Sequence, residues 1–281
     1  GLPGVNKKGS VSNGNYLWIS YFYSYLNDEG RAGFVMSSQA SSAGGQEAEV
    51  RRKLVESGHV GAMVAIRSNF FYTRSVPCEL WFLNKNKPAH MKDKVLMLDA
   101  RNVYTKVTRK IYDFSPEQLA NLTSIVWLYR GQQDRFLGLI ESYLQRTLDD
   151  AQAAKEPMDE FIACLDTLLG KLEKVDEETK KAFELLGDDI KAFEATIETE
   201  NKTWKGAAKD NTGLIAAADK LEPIAETSRD LIKQIDQLYK FAEKQAKESG
   251  EKGLNKLTKA LEEQRKEAVE HLKEVRYIFK Q

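Results

Sequence analysis

The sequence predicts an α/β domain followed by an all-α region, and three observations carry that prediction. Short apolar runs at 32–36, 60–66, 76–83 and 95–98 alternate with loops and helical stretches, the pattern of an α/β sheet. A helix-start pattern opens at Ser115, and from there to Gln281 no strand pattern recurs. Two apolar seams in that tail repeat near a period of 3.5. The expected division is residues 1–112 as the α/β part and 113–281 as the helical part.

Taken in order, residues 1–15 are rich in Gly, Ser and Asn and read as an opening loop. The chain starts on Gly1 rather than Met, and the expectation is a piece of something longer. Asn15 is placed to cap a helix over 16–26, in which Tyr16, Ile19, Tyr23 and Leu26 recur at helical spacing. Ala32–Met36 is a short apolar run between polar residues, expected as a buried parallel strand. A Ser/Gly loop over 37–46 feeds a helix from about Glu47 to Ser57, stopped by Gly58.

Val60–Ile66 is a second buried run, and strands follow at 76–83 and 95–98. Pro77 lacks a donor for the ladder, so the 76–83 strand lies at an edge or starts after the proline. Ser115-Pro116-Glu117-Gln118 combines an N-cap serine, proline at the first helical position and a capping-box glutamine. Beyond it, Phe183, Leu186, Ile190, Phe193 and Ile197 form one seam, and Leu254, Leu257, Leu261, Gln264 and Ala268 another. Breaks near Gly170, Gly187, Gly206, Pro223 and Gly250 predict several helices packed lengthwise as a bundle or hairpin.

Composition narrows the function classes. The 281 residues carry 42 basic and 42 acidic side chains, yet residues 1–150 have a net charge of +5 and residues 151–281 a net of −5. One half is thus suited to meet a polyanion and the other is not. Two cysteines, Cys78 and Cys164, do not make a disulfide framework and fit no metal spacing. No apolar run reaches the roughly 18 residues of a membrane span, so the expectation is an intracellular chain without a membrane partner.

The chain shows no P-loop, no glycine-rich dinucleotide turn and no nucleophile–histidine pattern. His59, His90 and His271 are scattered and are expected to be structural or surface residues, so no metal is expected. Two segments remain. The loop from Ser41 into Lys53 has backbone N–H groups to offer a phosphate, but Glu47 and Glu49 would repel one, which favours a plain strand-to-helix turn. The loop Ser68–Ser75 places Phe70, Phe71 and Tyr72 beside Asn69, Arg67 and Arg74, which suits either a base-stacking platform with backbone-phosphate contacts or a plug for the end of the sheet.

Asn15-Tyr-Leu-Trp18, Gly30-Arg-Ala-Gly-Phe-Val35, Gly44-Gly-Gln-Glu-Ala-Glu-Val-Arg51, Ser68-Asn-Phe-Phe71 and Val76-Pro77 follow one another as blocks of a known family. Over roughly residues 10–130 the chain resembles the modification (M) subunit of type I restriction–modification systems, an adenine-N6 DNA methyltransferase that uses S-adenosyl-L-methionine. The resemblance implies the C-terminal half of a Rossmann-like class I methyltransferase sheet, then a helical or coiled-coil assembly region. It implies as partners DNA, the specificity (S) subunit, a second M subunit and the restriction (R) subunit, in a prokaryotic cytoplasm.

The family's acidic, Gly-rich cofactor turn and its Asn-Pro-Pro-Phe tetrapeptide are both absent from this chain. No catalytic residue is therefore assigned, and the chain alone is expected to be inactive and to hold no cofactor. Matched on Val76, the resemblance implies that Phe71, with Phe70 as the alternative, stacks on the flipped-out base, where a ring replaces lost stacking. Arg74, Arg67 and Asn69 would flank the DNA backbone. Two other readings stay open: a non-enzymatic helical scaffold binding protein partners, and a nucleic-acid binding module built on Phe70–Tyr72.

Overall fold

The computed structural model describes residues 5–72, 75–203 and 210–281. The chain divides into two compact units, residues 1–131 and 132–281.

The first unit is built on a four-stranded mixed sheet. Helix α1 (Gly14–Ser24) leads to β1 (Arg31–Ser37), the short α2 (Gln39–Ser42), α3 (Gly45–Glu56) and β2 (Val60–Ile66). Then come β3 (Cys78–Asn84) and β4 (Leu96–Asp99), a two-residue ladder of β5 (Thr105–Lys106) and β6 (Tyr112–Asp113), and helix α4 (Pro116–Tyr129). The order in the main sheet is β1-β3-β2-β4. β3 runs antiparallel to both neighbours, and only β2 and β4 pair in parallel.

Several expectations are corrected here. β1 is not a parallel strand: its partner is the antiparallel β3, and its burial alternates as in a strand with one face covered. Of the two readings of Pro77, the structure takes the second, since β3 begins at Cys78 and lies inside the sheet between β1 and β2. The N-cap of α1 is Asn13 rather than Asn15. Its extended backbone lets Oδ1 accept from the N–H of Asn15 at 2.9 Å. α3 starts at Gly45, two residues before the expected Glu47.

Each sheet face has its own core. One face buries Met36, Met63, Trp81 and Leu83 under Tyr16 and Ile19 of α1 and Leu54 of α3. The other packs Val64 and Ile66 with Leu80, Leu98, Phe114 and Leu122. Leu122 belongs to α4, which is why the compact unit runs to Gly131 instead of ending at the expected 112. The capping box at Ser115 is present as read: its Oγ accepts from the Gln118 N–H at 3.1 Å, and Gln118 Oε1 accepts from the Ser115 N–H at 2.9 Å.

The second unit is helical: α5 (Gln133–Ala153), α6 (Lys155–Leu169), α7 (Glu177–Thr203), α8 (Asn211–Ser249) and α9 (Lys252–Phe279). α9 packs on α5, α6 and α8, and α7 packs on α8. Both seams face this core, with Leu186, Ile190, Phe193, Ile197, Leu254, Leu261 and Ala268 all buried. Gly170 and Gly250 close helices as expected, Gly250 in the left-handed region at φ +67°.

Gly187 and Pro223 do not break the chain. Gly187 lies inside α7 and Pro223 inside α8. Proline at 223 deprives the Asp219 carbonyl of its helical donor, but both residues are exposed, so water serves the freed oxygen. Gly206 lies outside the described residues.

Candidate functional site

The candidate site follows the C-terminal end of β2. Ile66 ends the strand in the core, and Arg67 opens the aromatic loop. The Arg67 guanidinium packs against two rings, 3.8 Å from the centroid of Tyr104 and 3.9 Å from that of Tyr112. Its Nε is buried and has no hydrogen-bond partner among the described residues. The two rings stand nearly perpendicular to each other, 5.0 Å apart, and the guanidinium's contacts with both compensate in part for what it loses in hydration. Arg67 therefore braces the loop against the two tyrosines.

Asn69 holds the loop's turn with φ +62°, a conformation that asparagine tolerates better than most residues. Its carbonyl accepts from the Tyr112 N–H at 3.1 Å. The loop is thus tied to the β5–β6 ladder by one hydrogen bond and one arginine. The three aromatics that follow separate into different roles. Phe70 packs against Phe114, with ring centroids 4.4 Å apart, and joins the core of Val64 and Ile66. Phe71 is half-buried and meets Phe70 edge-on at 6.5 Å. Tyr72 is 86% exposed. Thr73 and Arg74 lie outside the described residues.

The Gly-rich entry to α3 is a structural turn. Gly44 is its N-cap and supplies no side-chain cap, while Glu47 in the first turn accepts from Asn13 Nδ2. Glu49 is engaged by Arg52 and Lys53. Arg51, the last residue of one of the resemblance blocks, ties this corner together. One of its Nη groups donates to the carbonyls of Ala40 and Ala43 and to the Tyr16 hydroxyl, at 3.1, 3.0 and 2.8 Å.

His59 Nδ1 shares a hydrogen bond with the Tyr23 hydroxyl at 2.7 Å, with the two rings stacked. Burial and then the charges of Lys85, Lys92 and Lys87 hold its pKa below the ordinary histidine value. Among the described residues no three His, Cys, Asp or Glu side chains converge on a point. Burial raises the pKa of both Cys78 and Cys164, as for thiols that pack rather than react. No described helix is long and apolar enough to cross a membrane.

The first half of the chain has relatives among known proteins. Residues 6–141 match the family described as N-6 DNA Methylase, the family to which the block resemblance pointed. The chain is 36% identical over 132 residues to the type I restriction enzyme MjaIX methylase subunit of Methanocaldococcus jannaschii, covering 46% of this chain and 24% of that protein. It is 27% identical over 127 residues to the HindI methylase subunit of Haemophilus influenzae, covering 44% and 28%. A crystal structure of the type I restriction-modification system methyltransferase subunit from Streptococcus thermophilus aligns at 20% identity and a TM-score of 0.38, over 43% of this chain and 24% of that one. The chain spans about a quarter of the length of the curated relatives it matches.

The aromatic loop has one feature that the sequence does not disclose. Tyr104 and Tyr112 sit about forty residues beyond Arg67, and no periodicity links them to it. Only the β5–β6 ladder brings both rings to the same guanidinium.

Proposed function

We propose that the chain is part of an adenine-N6 DNA methyltransferase subunit of a type I restriction–modification system. The observation that carries this is the match of residues 6–141 to the N-6 DNA methylases, with the aromatic loop after β2 inside the matched segment. Phe71 is the ring that stacks on the flipped adenine. Phe70 is engaged with Phe114 against the core, whereas Phe71 is not part of that cluster and meets Phe70 edge-on. Asn69 and Arg67 shape that turn, and Arg74 follows it as a contact to the DNA backbone.

Methyl transfer in the intact subunit uses S-adenosyl-L-methionine as donor. Of the carboxylates at this end of the sheet, Asp99 is held by Arg101 at 2.6 and 2.8 Å, and Asp113 Oδ1 accepts the Phe114 N–H at 2.8 Å. No chemical step is assigned to this chain's own side chains, and the chain alone is inactive. The helical unit serves assembly with the S subunit, a second M subunit and the R subunit. Its acidic balance suits protein partners better than DNA.

Reading the coding sequence in frame upstream of Gly1 tests the proposal. An Asn-Pro-Pro-Phe-like tetrapeptide within a few tens of codons, with an acidic Gly-rich turn before it, supports it. A start codon at Gly1 overturns it in favour of a non-enzymatic scaffold. Turnover by the 281-residue chain with S-adenosyl-L-methionine and DNA would refute the inactivity of the chain alone.

A further inference from the structure

A second feature of the first unit lies at the opposite end of the sheet from the aromatic loop. A cavity of about 360 Å³ opens where β1 and β2 begin and β3 ends, closed on one side by the last turn of α4. About 16 Å of strand separates Gly61 in its wall from Ile66 at the other end, at roughly 3.3 Å per residue. Its size falls within the range of small-molecule pockets.

The floor is apolar. Phe82 is 36% exposed there, flanked by Ala62, Gly33 and Gly61. Gly61 is the extra residue of a bulge, at the shift of register between Val60 and Ala62 against β3. A Cβ on Gly33 would come within 3.2 Å of the Phe82 ring, so glycine lets the strand pass close under that ring. The result is a flat aromatic surface facing open space.

The rim is cationic. Arg31, Lys87, His90 and Arg130 line the cavity, and among the described residues no carboxylate does. Lys87 is only 5% exposed, and its Nζ donates to the carbonyls of Val60, at 2.7 Å, and of Lys94. Carbonyl oxygens accept two of its three protons, and apart from the field of Asp93, which lies outside the lining, the buried positive charge has no counter-charge in the wall. The C-terminus of α4 contributes about half a negative charge, which three full cations outweigh. Nearby His59 responds to the same field, being held neutral in part by Lys85, Lys92 and Lys87.

We propose that this cavity binds a planar aromatic ring carrying a phosphate, of mononucleotide size. The ring lies on Phe82 between the two glycines and the phosphate sits among Arg31, Lys87 and Arg130. The site is independent of the base-stacking loop, because it is formed by the other ends of the strands.

Isothermal titration of the 281-residue chain with adenosine 5′-monophosphate tests this, with adenosine and inorganic phosphate as separate halves. The expected result is one site per chain, with each half binding at least ten-fold more weakly. The Arg31→Gln/Arg130→Gln double variant changes two exposed side chains, and it should weaken the mononucleotide at least ten-fold while the circular dichroism stays unchanged. Phe82→Leu should weaken it as well. The proposal fails if the mononucleotide gives no saturable heat, if inorganic phosphate alone binds as tightly, or if the double variant binds as well as the parent.

Discussion

Phe70 and Phe71 are neighbours in sequence, yet substitution should separate them. Phe70 gives its ring to Phe114 and the core beneath, so Phe70→Ala should cost about 2–3 kcal/mol, somewhat less than a fully buried ring. Phe71→Ala should cost about 1 kcal/mol or less in stability and act on DNA capture in the intact enzyme. Urea unfolding measures the first effect and binding to adenine-containing DNA the second. If both variants lose stability equally, Phe71 is a core residue and the stacking role goes to another ring. Trp81, wholly buried on the other face, sets the upper end of this scale: Trp81→Ala should cost about 4 kcal/mol in the same measurement. His59 adds a pH dependence. Its folded pKa lies below the ordinary value near 6.5, so the unfolded chain takes up the proton first. Its contribution is complete above about pH 6.5 and declines as pH falls toward the folded pKa. A His59→Gln variant should flatten the stability curve below about pH 6.5, read by thermal melts at successively lower pH.

At the scale of elements, two glycines make opposite predictions. Gly187 sits within α7, and a Cβ added there would have nothing within 4 Å, so Gly187→Ala should stabilise the helix by about 0.5–1 kcal/mol. Gly58 ends the segment after α3 at φ +75°, and a Cβ there would meet the Lys92 carbonyl at 3.1 Å. Gly58→Ala should therefore destabilise by at least about 1–2 kcal/mol. Chemical denaturation of the pair checks both signs at once. Helix α4 shows how local and tertiary effects divide at this scale. Its cap is written in four consecutive residues, whereas its place in the first unit depends on Leu122 meeting Val64 and Ile66.

At the scale of the whole molecule, two cores of different construction stand on one chain. The first unit needs contacts between residues far apart in sequence, such as Tyr16 with Arg51 and Arg67 with Tyr112. The second is a set of helices whose buried residues recur at helical spacing. A piece spanning 132–281 should accordingly fold by itself, with cooperative loss of its helical signal on heating. A non-cooperative melt of that piece would show that its core is incomplete without the first unit.

The helices of the tail, the capping box at Ser115 and the strands at 60–66 and 95–98 are legible in the sequence because each is encoded locally, in a period or a cap. The block resemblance over residues 10–130 is legible for the same reason, since order and spacing survive without coordinates. Tertiary structure decided what periodicity cannot encode. It made β1 antiparallel to β3, set β3 inside the sheet, and chose Asn13 over Asn15 as a cap. It set Arg67 against two tyrosines and Phe70 against Phe114 in the core. It also carried α7 through Gly187 and α8 through Pro223, because packing along a buried seam outweighs a local propensity cost of about 1–3 kcal/mol.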